Sequence, residues 1–236
     1  MKDSYQDLEK ILGLEFKNKE LLLNAITHRS YLNEHKEEAF DNNERLEFLG
    51  DAVLELIISD HLFHTYPDNP EGDLTSFRSA AVRTESLAEE SRRMGIGEYL
   101  RMSKGEYESG GSDKDYLLAN TYEAILGAIY KDQGYDVAKD FVFRTLVPKI
   151  KDIVENRLDI DCKTKIQELI QAKFKVTPTY EVIKEEGPDH DKKFVVGVMI
   201  NDKVIGEGDG PSKQKAEENA ASNGIKFLLN KYNDLE

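Results

Sequence analysis

The chain has 236 residues, 39% hydrophobic and 33% charged, which is enough apolar material for packed cores and excludes a wholly disordered protein. No run of about 18 apolar residues is present, so a membrane-spanning helix is excluded. One cysteine and five scattered histidines exclude a disulfide framework and a structural zinc site. The acidic start MKDSYQDLEK lacks the basic and apolar parts of a secretory signal, and the expectation is a cytoplasmic protein. A net charge of -14 argues against a nucleic-acid partner for the chain as a whole, but the acidity is uneven. Residues 1–160 carry 20 basic against 32 acidic side chains, whereas 161–236 carry 12 lysines against 14 acids, with Lys213 and Lys215 clustered as a local basic patch.

From Leu8 to about Val154, apolar residues recur at spacings of three and four, as in Leu21, Leu22, Ala25 and Ile26 and then Leu46, Leu49, Val53, Leu54 and Ile57. This spacing predicts an all-α domain over 1–155, with turn-rich stretches at 66–73 and 109–113 between helices. A charged stretch where the periodicity fades sets a linker at 156–160. A second domain over 161–232 begins with a helix at 162–175 and continues with alternating segments at 179–184, 193–200 and 203–207. Gly187-Pro188-Asp189 and Asn201-Asp202 mark the turns between these strands. Ser212 is a good N-cap for a final alanine-rich helix to about Lys231, so the order is α-β-β-β-α.

Glu44, Glu47 and Asp51 stand at i, i+3 and i+7, within about a 60° sector of one helix face. A solvated acidic face is the ordinary reading of such a stripe. The rest of this helix is nearly all apolar, which predicts a central position and acids close to buried surface, where like charges raise one another's pKa unless a cation neutralises them. A second apolar segment, residues 116–130, is interrupted by Asn120 and Glu123 at i, i+3. Taken alone these read as hydrogen-bonded core or interface groups. If the two oxygen-bearing faces meet, Glu47, Asp51, Asn120 and Glu123 form a site for a hard cation, Mg²⁺ or Mn²⁺, of the kind that serves phosphoryl chemistry.

The strings His28-Arg29-Ser30, NNERLEFLGD at 42–51, EGDLTSFRSAAV at 71–82, SGG at 109–111 and EAILGAIY at 123–130 together resemble bacterial ribonuclease III over nearly the whole chain. The resemblance implies a homodimeric helical endonuclease domain that hydrolyses double-stranded RNA with Mg²⁺. Mn²⁺ would substitute, and the staggered cuts would leave 5′-phosphate and 3′-hydroxyl ends. The family's roles would be ribosomal RNA processing and messenger turnover. It places Glu47, Asn120 and Glu123 as metal ligands and Asp51 and Glu123 as catalytic groups. Glu44 is expected near the subunit boundary and His28 as a packed residue at a helix end. Glu71 reads equally as RNA-facing or as a plain loop acid, and His61 and His64 as surface or core positions.

The α-β-β-β-α region resembles the family's double-stranded-RNA-binding domain, through KTKIQELIQ at 163–171, GPDHDKKF at 187–194 and GEGDGPSKQKAEENAA at 206–221. The resemblance assigns Ser212, Lys213 and Lys215 to phosphates across the major groove, and Gln167, Glu168 and His190 to the minor groove. Three positions depart from the family pattern: Asn120 where Asp is usual, Ser112 where Arg commonly follows SGG, and Gln214 where Lys often follows Lys213. An amide still offers a cation an oxygen, without the charge. With three carboxylates, a two-Mg²⁺ site would carry one excess positive charge that the scissile phosphate balances, so metal affinity is expected to weaken more in the free enzyme than in the RNA complex. The alternative is an RNA-binding protein whose cleavage is impaired by Asn120.

Overall fold

The computed structural model describes residues 5–37, 41–155, 162–188 and 192–232. The expected linker at 156–160 and the candidate His190 lie outside the described residues. The chain separates into two compact units, Met1–Asp159 and Ile160–Glu236. No helix among the described residues is long and apolar enough to cross a membrane.

The first unit is all-α: α1 (Tyr5–Leu12), α2 (Lys19–Ala25), α3 (Arg29–Glu34), α4 (Glu44–Thr65), α5 (Glu71–Val82), α6 (Thr84–Met94), α7 (Lys104–Glu108), α8 (Asp115–Gln133), α9 (Tyr135–Thr145) and α10 (Val147–Glu155). Polar residues start several of these helices: the side chains of Asn18, His28 and Ser103 each accept a backbone N–H from the first turn of α2, α3 and α7. Gly95 ends α6 in the left-handed region, at φ 71°, with its N–H returned to the last carbonyls of that helix. The core forms where α8, buried along most of its length, meets α4; Leu54, Ile57, Ile58, Tyr122, Ile125 and Ile129 are fully enclosed. The Tyr122 hydroxyl donates to Thr145 Oγ1 at 2.6 Å, and Thr145 in turn donates to the Phe141 carbonyl at 2.8 Å, so this buried phenol is satisfied.

Two glycines set how closely the central helices cross. A Cβ on Gly50 would lie 1.8 Å from the Glu123 carbonyl oxygen, and one on Gly127 would lie 2.2 Å from that of Leu46. Backbone therefore meets backbone at the crossing, which puts the Glu47–Asp51 stretch of α4 beside the Asn120–Glu123 stretch of α8.

The second unit packs α11 (Cys162–Phe174) and α12 (Lys213–Lys231) against one face of an antiparallel sheet ordered β1 (Thr179–Glu186), β2 (Lys193–Ile200), β3 (Lys203–Gly210). Asn201 and Asp202 both take positive φ, 45° and 63°, the two-residue turn that suits a twisted hairpin. The third strand runs beyond the expected Glu207 to Gly210. Gly206, Gly208 and Gly210 alternate toward α12, where a Cβ on each would meet that helix's backbone at 2.3, 2.1 and 2.7 Å. The glycines thus form a strand face on which a helix lies directly.

Candidate functional site

The α4/α8 crossing brings together the four residues expected of a cation site. Glu47, Asn120 and Glu123 are half-buried and Asp51 is exposed at the solvent edge. Burial and the neighbouring carboxylates of Asp51 and Glu47 push Glu123 up to about 8. Burial, Glu44 and Asp51 also raise Glu47, while a hydrogen bond from the Asn120 side chain opposes that rise. Every influence on Glu123 acts in the same direction, and no basic side chain offsets it. Among the described residues, no three acidic, histidine or cysteine side chains are grouped so that they alone could hold a metal ion. The donor set itself, carboxylate and amide oxygens without sulfur or imidazole, fits a hard divalent cation.

Glu44 is exposed and pairs with Arg29 at 3.7 Å. His28 caps α3 through Nδ1, and burial holds its pKa below the ordinary imidazole value, as suits a packed residue. Glu71 accepts a hydrogen bond from Thr75 in the first turn of α5. His61 lies edge-on to Phe143, and His64 bonds to the Asp60 carbonyl. Ser112 sits half-buried in a short turn of 3₁₀ helix.

The apolar content of α4 predicts a central helix with acids close to buried surface; Leu54, Ile57 and Ile58 are fully buried and Glu47 is half-buried, yet on another face Phe48, Leu56 and Phe63 are 82%, 57% and 68% exposed. They lie within about an 80° sector of the helix, which Ser59 shares, an apolar face open to solvent. Periodicity counts apolar residues; it does not say what covers them.

In the second unit, Gln167 and Glu168 are exposed on α11, and Ser212, Lys213 and Lys215 occupy the exposed start of α12. Ser212 accepts the Lys215 backbone N–H at 3.2 Å as the N-cap. The expected basic patch is not bare: Lys213 pairs with Glu185 at 3.1 Å, Lys215 with Glu218 at 3.0 Å, and Lys163 with Glu217 at 2.6 Å. Sequence reasoning missed these acids because Glu185 comes from a distant strand, although Glu218, three residues after Lys215, was visible as an i, i+3 partner.

Residues 18–150 match the Ribonuclease-III-like family model, and residues 162–228 match the double-stranded RNA binding motif. The chain is 48% identical over 229 residues to Ribonuclease 3 of Carboxydothermus hydrogenoformans, covering 97% of each chain. It is 47% identical over 221 residues to that of Lactococcus lactis subsp. cremoris, covering 94% of this chain and 95% of the relative. Among solved structures, the nuclease domain of ribonuclease III from Campylobacter jejuni aligns with a TM-score of 0.57 at 39% identity, covering 61% of this chain and 97% of that one; its description refers to a region involved in dimer formation. With an all-α nuclease unit, an α-β-β-β-α unit and these matches along almost its full length, the chain belongs to the ribonuclease III family of double-stranded-RNA endoribonucleases.

Proposed function

We propose that this chain hydrolyses double-stranded RNA at the α4/α8 crossing, with Glu47, Asn120 and Glu123 holding Mg²⁺ and Asp51 and Glu123 serving the chemistry. The observation that carries this reading is the convergence of three carboxylates and one amide on a backbone crossing where nothing basic offsets Glu123. Ribonuclease III enzymes are generally Mg²⁺-dependent, and Mn²⁺, equally hard, substitutes here. When bound, the cation polarises the phosphate and makes water a nucleophile at neutral pH. Glu47 and Glu123 supply negative charge from a desolvated position, where it attracts a cation strongly. Asn120 donates its amide N–H to Glu47, steadying that carboxylate, and offers its own oxygen. Asp51, at the solvent edge, orients the attacking water by hydrogen bonding. Water adds to phosphorus and the bond to O3′ breaks, leaving 5′-phosphate and 3′-hydroxyl ends.

A second copy of the chain covers the apolar stripe of Phe48, Leu56 and Phe63, giving a homodimer with one site for each RNA strand and a staggered cut. The second unit holds the duplex through Ser212, Lys213 and Lys215 on phosphates and through Gln167, Glu168 and His190 in the minor groove. It reads A-form shape over roughly 16 base pairs, and binding weakens with salt. Ribosomal RNA processing and messenger turnover in the cytoplasm are the roles this activity fits.

The test is cleavage of an end-labelled RNA duplex with Mg²⁺ and with Mn²⁺. The native chain is expected to cut, Glu123→Ala to bind without cutting, and Asn120→Asp to reach full rate at lower Mg²⁺. Equal cleavage by Glu123→Ala overturns the assignment. Cleavage by Asn120→Asp alone marks the native chain as an RNA-binding form with a disabled metal site.

A further inference from the structure

The start of α12 presents Lys213 to the outside, yet its ammonium is already engaged: Glu185 Oε1, near the end of β1, lies 3.1 Å from Lys213 Nζ. The same carboxylate meets Lys192 at 3.4 Å through its other oxygen. Both lysines hold the Glu185 carboxyl below the usual glutamate range, so it is ionised at neutral pH. Lys213 Nζ also lies over the Phe194 ring, 5.5 Å from its centre. The ammonium is therefore directed toward β1 and β2 of its own domain, between a carboxylate and an aromatic face.

An ammonium that is to meet an RNA phosphate in this position has to exchange one anion for another. From this juxtaposition we propose that Glu185 is an affinity-setting residue of the RNA-binding unit: it competes with the RNA backbone for Lys213, and binding proceeds by opening the Lys213–Glu185 pair. The inference rests on the reading of Lys213 as a phosphate contact. A single competing carboxylate filters ligands by charge density. An isolated phosphate gains little over Glu185, whereas an A-form duplex engaging Ser212, Lys213 and Lys215 together pays that exchange once for several contacts.

The experiment measures binding of a fluorescent RNA duplex to the full chain by anisotropy, without divalent cation so that nothing is cut, for native protein, Glu185→Gln, Lys213→Ala and the double variant. The amide keeps the shape of Glu185, so Glu185→Gln is expected to fold and to bind about two- to fivefold more tightly, the range for releasing one exposed ion pair. Lys213→Ala is expected to bind more weakly, and Glu185→Gln added to it to recover little, because the competition needs both partners. Unchanged or weaker binding by Glu185→Gln overturns the proposal. So does equal tightening with and without Lys213, which reports general charge removal. If Lys213→Ala loses nothing, it is the phosphate-contact reading that fails, and the proposal falls with it.

Discussion

The two units solve one problem, bringing charged side chains to a chosen place, in opposite ways. In the nuclease unit, Gly50 and Gly127 let two helices touch backbone to backbone, and Glu47 and Glu123 end up half-buried near Asp51, with no basic side chain offsetting Glu123. In the RNA-binding unit, Gly206, Gly208 and Gly210 let α12 lie on a strand with the same intimacy, but Lys213 and Lys215 at its start stay exposed, and each has an acid at hand. On the proposed roles, the difference follows from the task. Phosphoryl chemistry needs a concentrated, uncompensated negative charge that only a cation relieves, whereas recognition of a repeating phosphate backbone needs charges that exchange partners readily.

Removing charge from the crossing should have the largest effect. Glu123→Ala is expected to lower the single-turnover cleavage rate about a thousandfold or more, on the scale of losing a metal-held transition-state contact, while anisotropy shows duplex binding retained. Next comes the crossing itself. Gly50→Ala forces a methyl into the space of the Glu123 carbonyl, and should destabilise the nuclease unit by about 3 kcal/mol in denaturant unfolding. The matching change in the other unit, Gly208→Ala, should cost about 2 kcal/mol and weaken RNA binding while leaving the helical unit intact, because β3 is the edge strand of its sheet. The smallest effect is expected from Tyr122→Phe, about 1 kcal/mol, since it deletes one satisfied buried hydrogen bond and leaves Thr145 its bond to Phe141. If Gly50→Ala proves no more harmful than Tyr122→Phe, the close crossing is not what positions the acids.

Much of this was legible in the chain. Spacings of three and four in the first 155 residues and of two after residue 178 gave the helical unit and the three strands, and Glu47, Asp51, Asn120 and Glu123 stood out as polar breaks in apolar helices. What was not legible depends on separation in space. Gly50 and Gly127 read locally as weak helix formers, and their use appears only when the other backbone is in place. The purpose of the Gly206–Gly210 alternation appears only when α12 lies on it. That Phe48, Leu56 and Phe63 stand exposed was not legible either, because periodicity counts apolar residues without saying what covers them. Glu185 is invisible as a partner of Lys213 until β1 is folded beside α12.

The central claim is that the acids at the α4/α8 crossing form a cation site held at a cost to the fold, and thermal melting of the full chain at about pH 8.5, with and without Mg²⁺, tests it most directly. The native chain should melt higher as Mg²⁺ is added, because the cation binds the folded form. Glu123→Gln should melt higher than native without Mg²⁺, since a buried like charge is gone, and should not respond to Mg²⁺. A variant that melts lower without the cation, or that keeps the native response to Mg²⁺, would contradict the account.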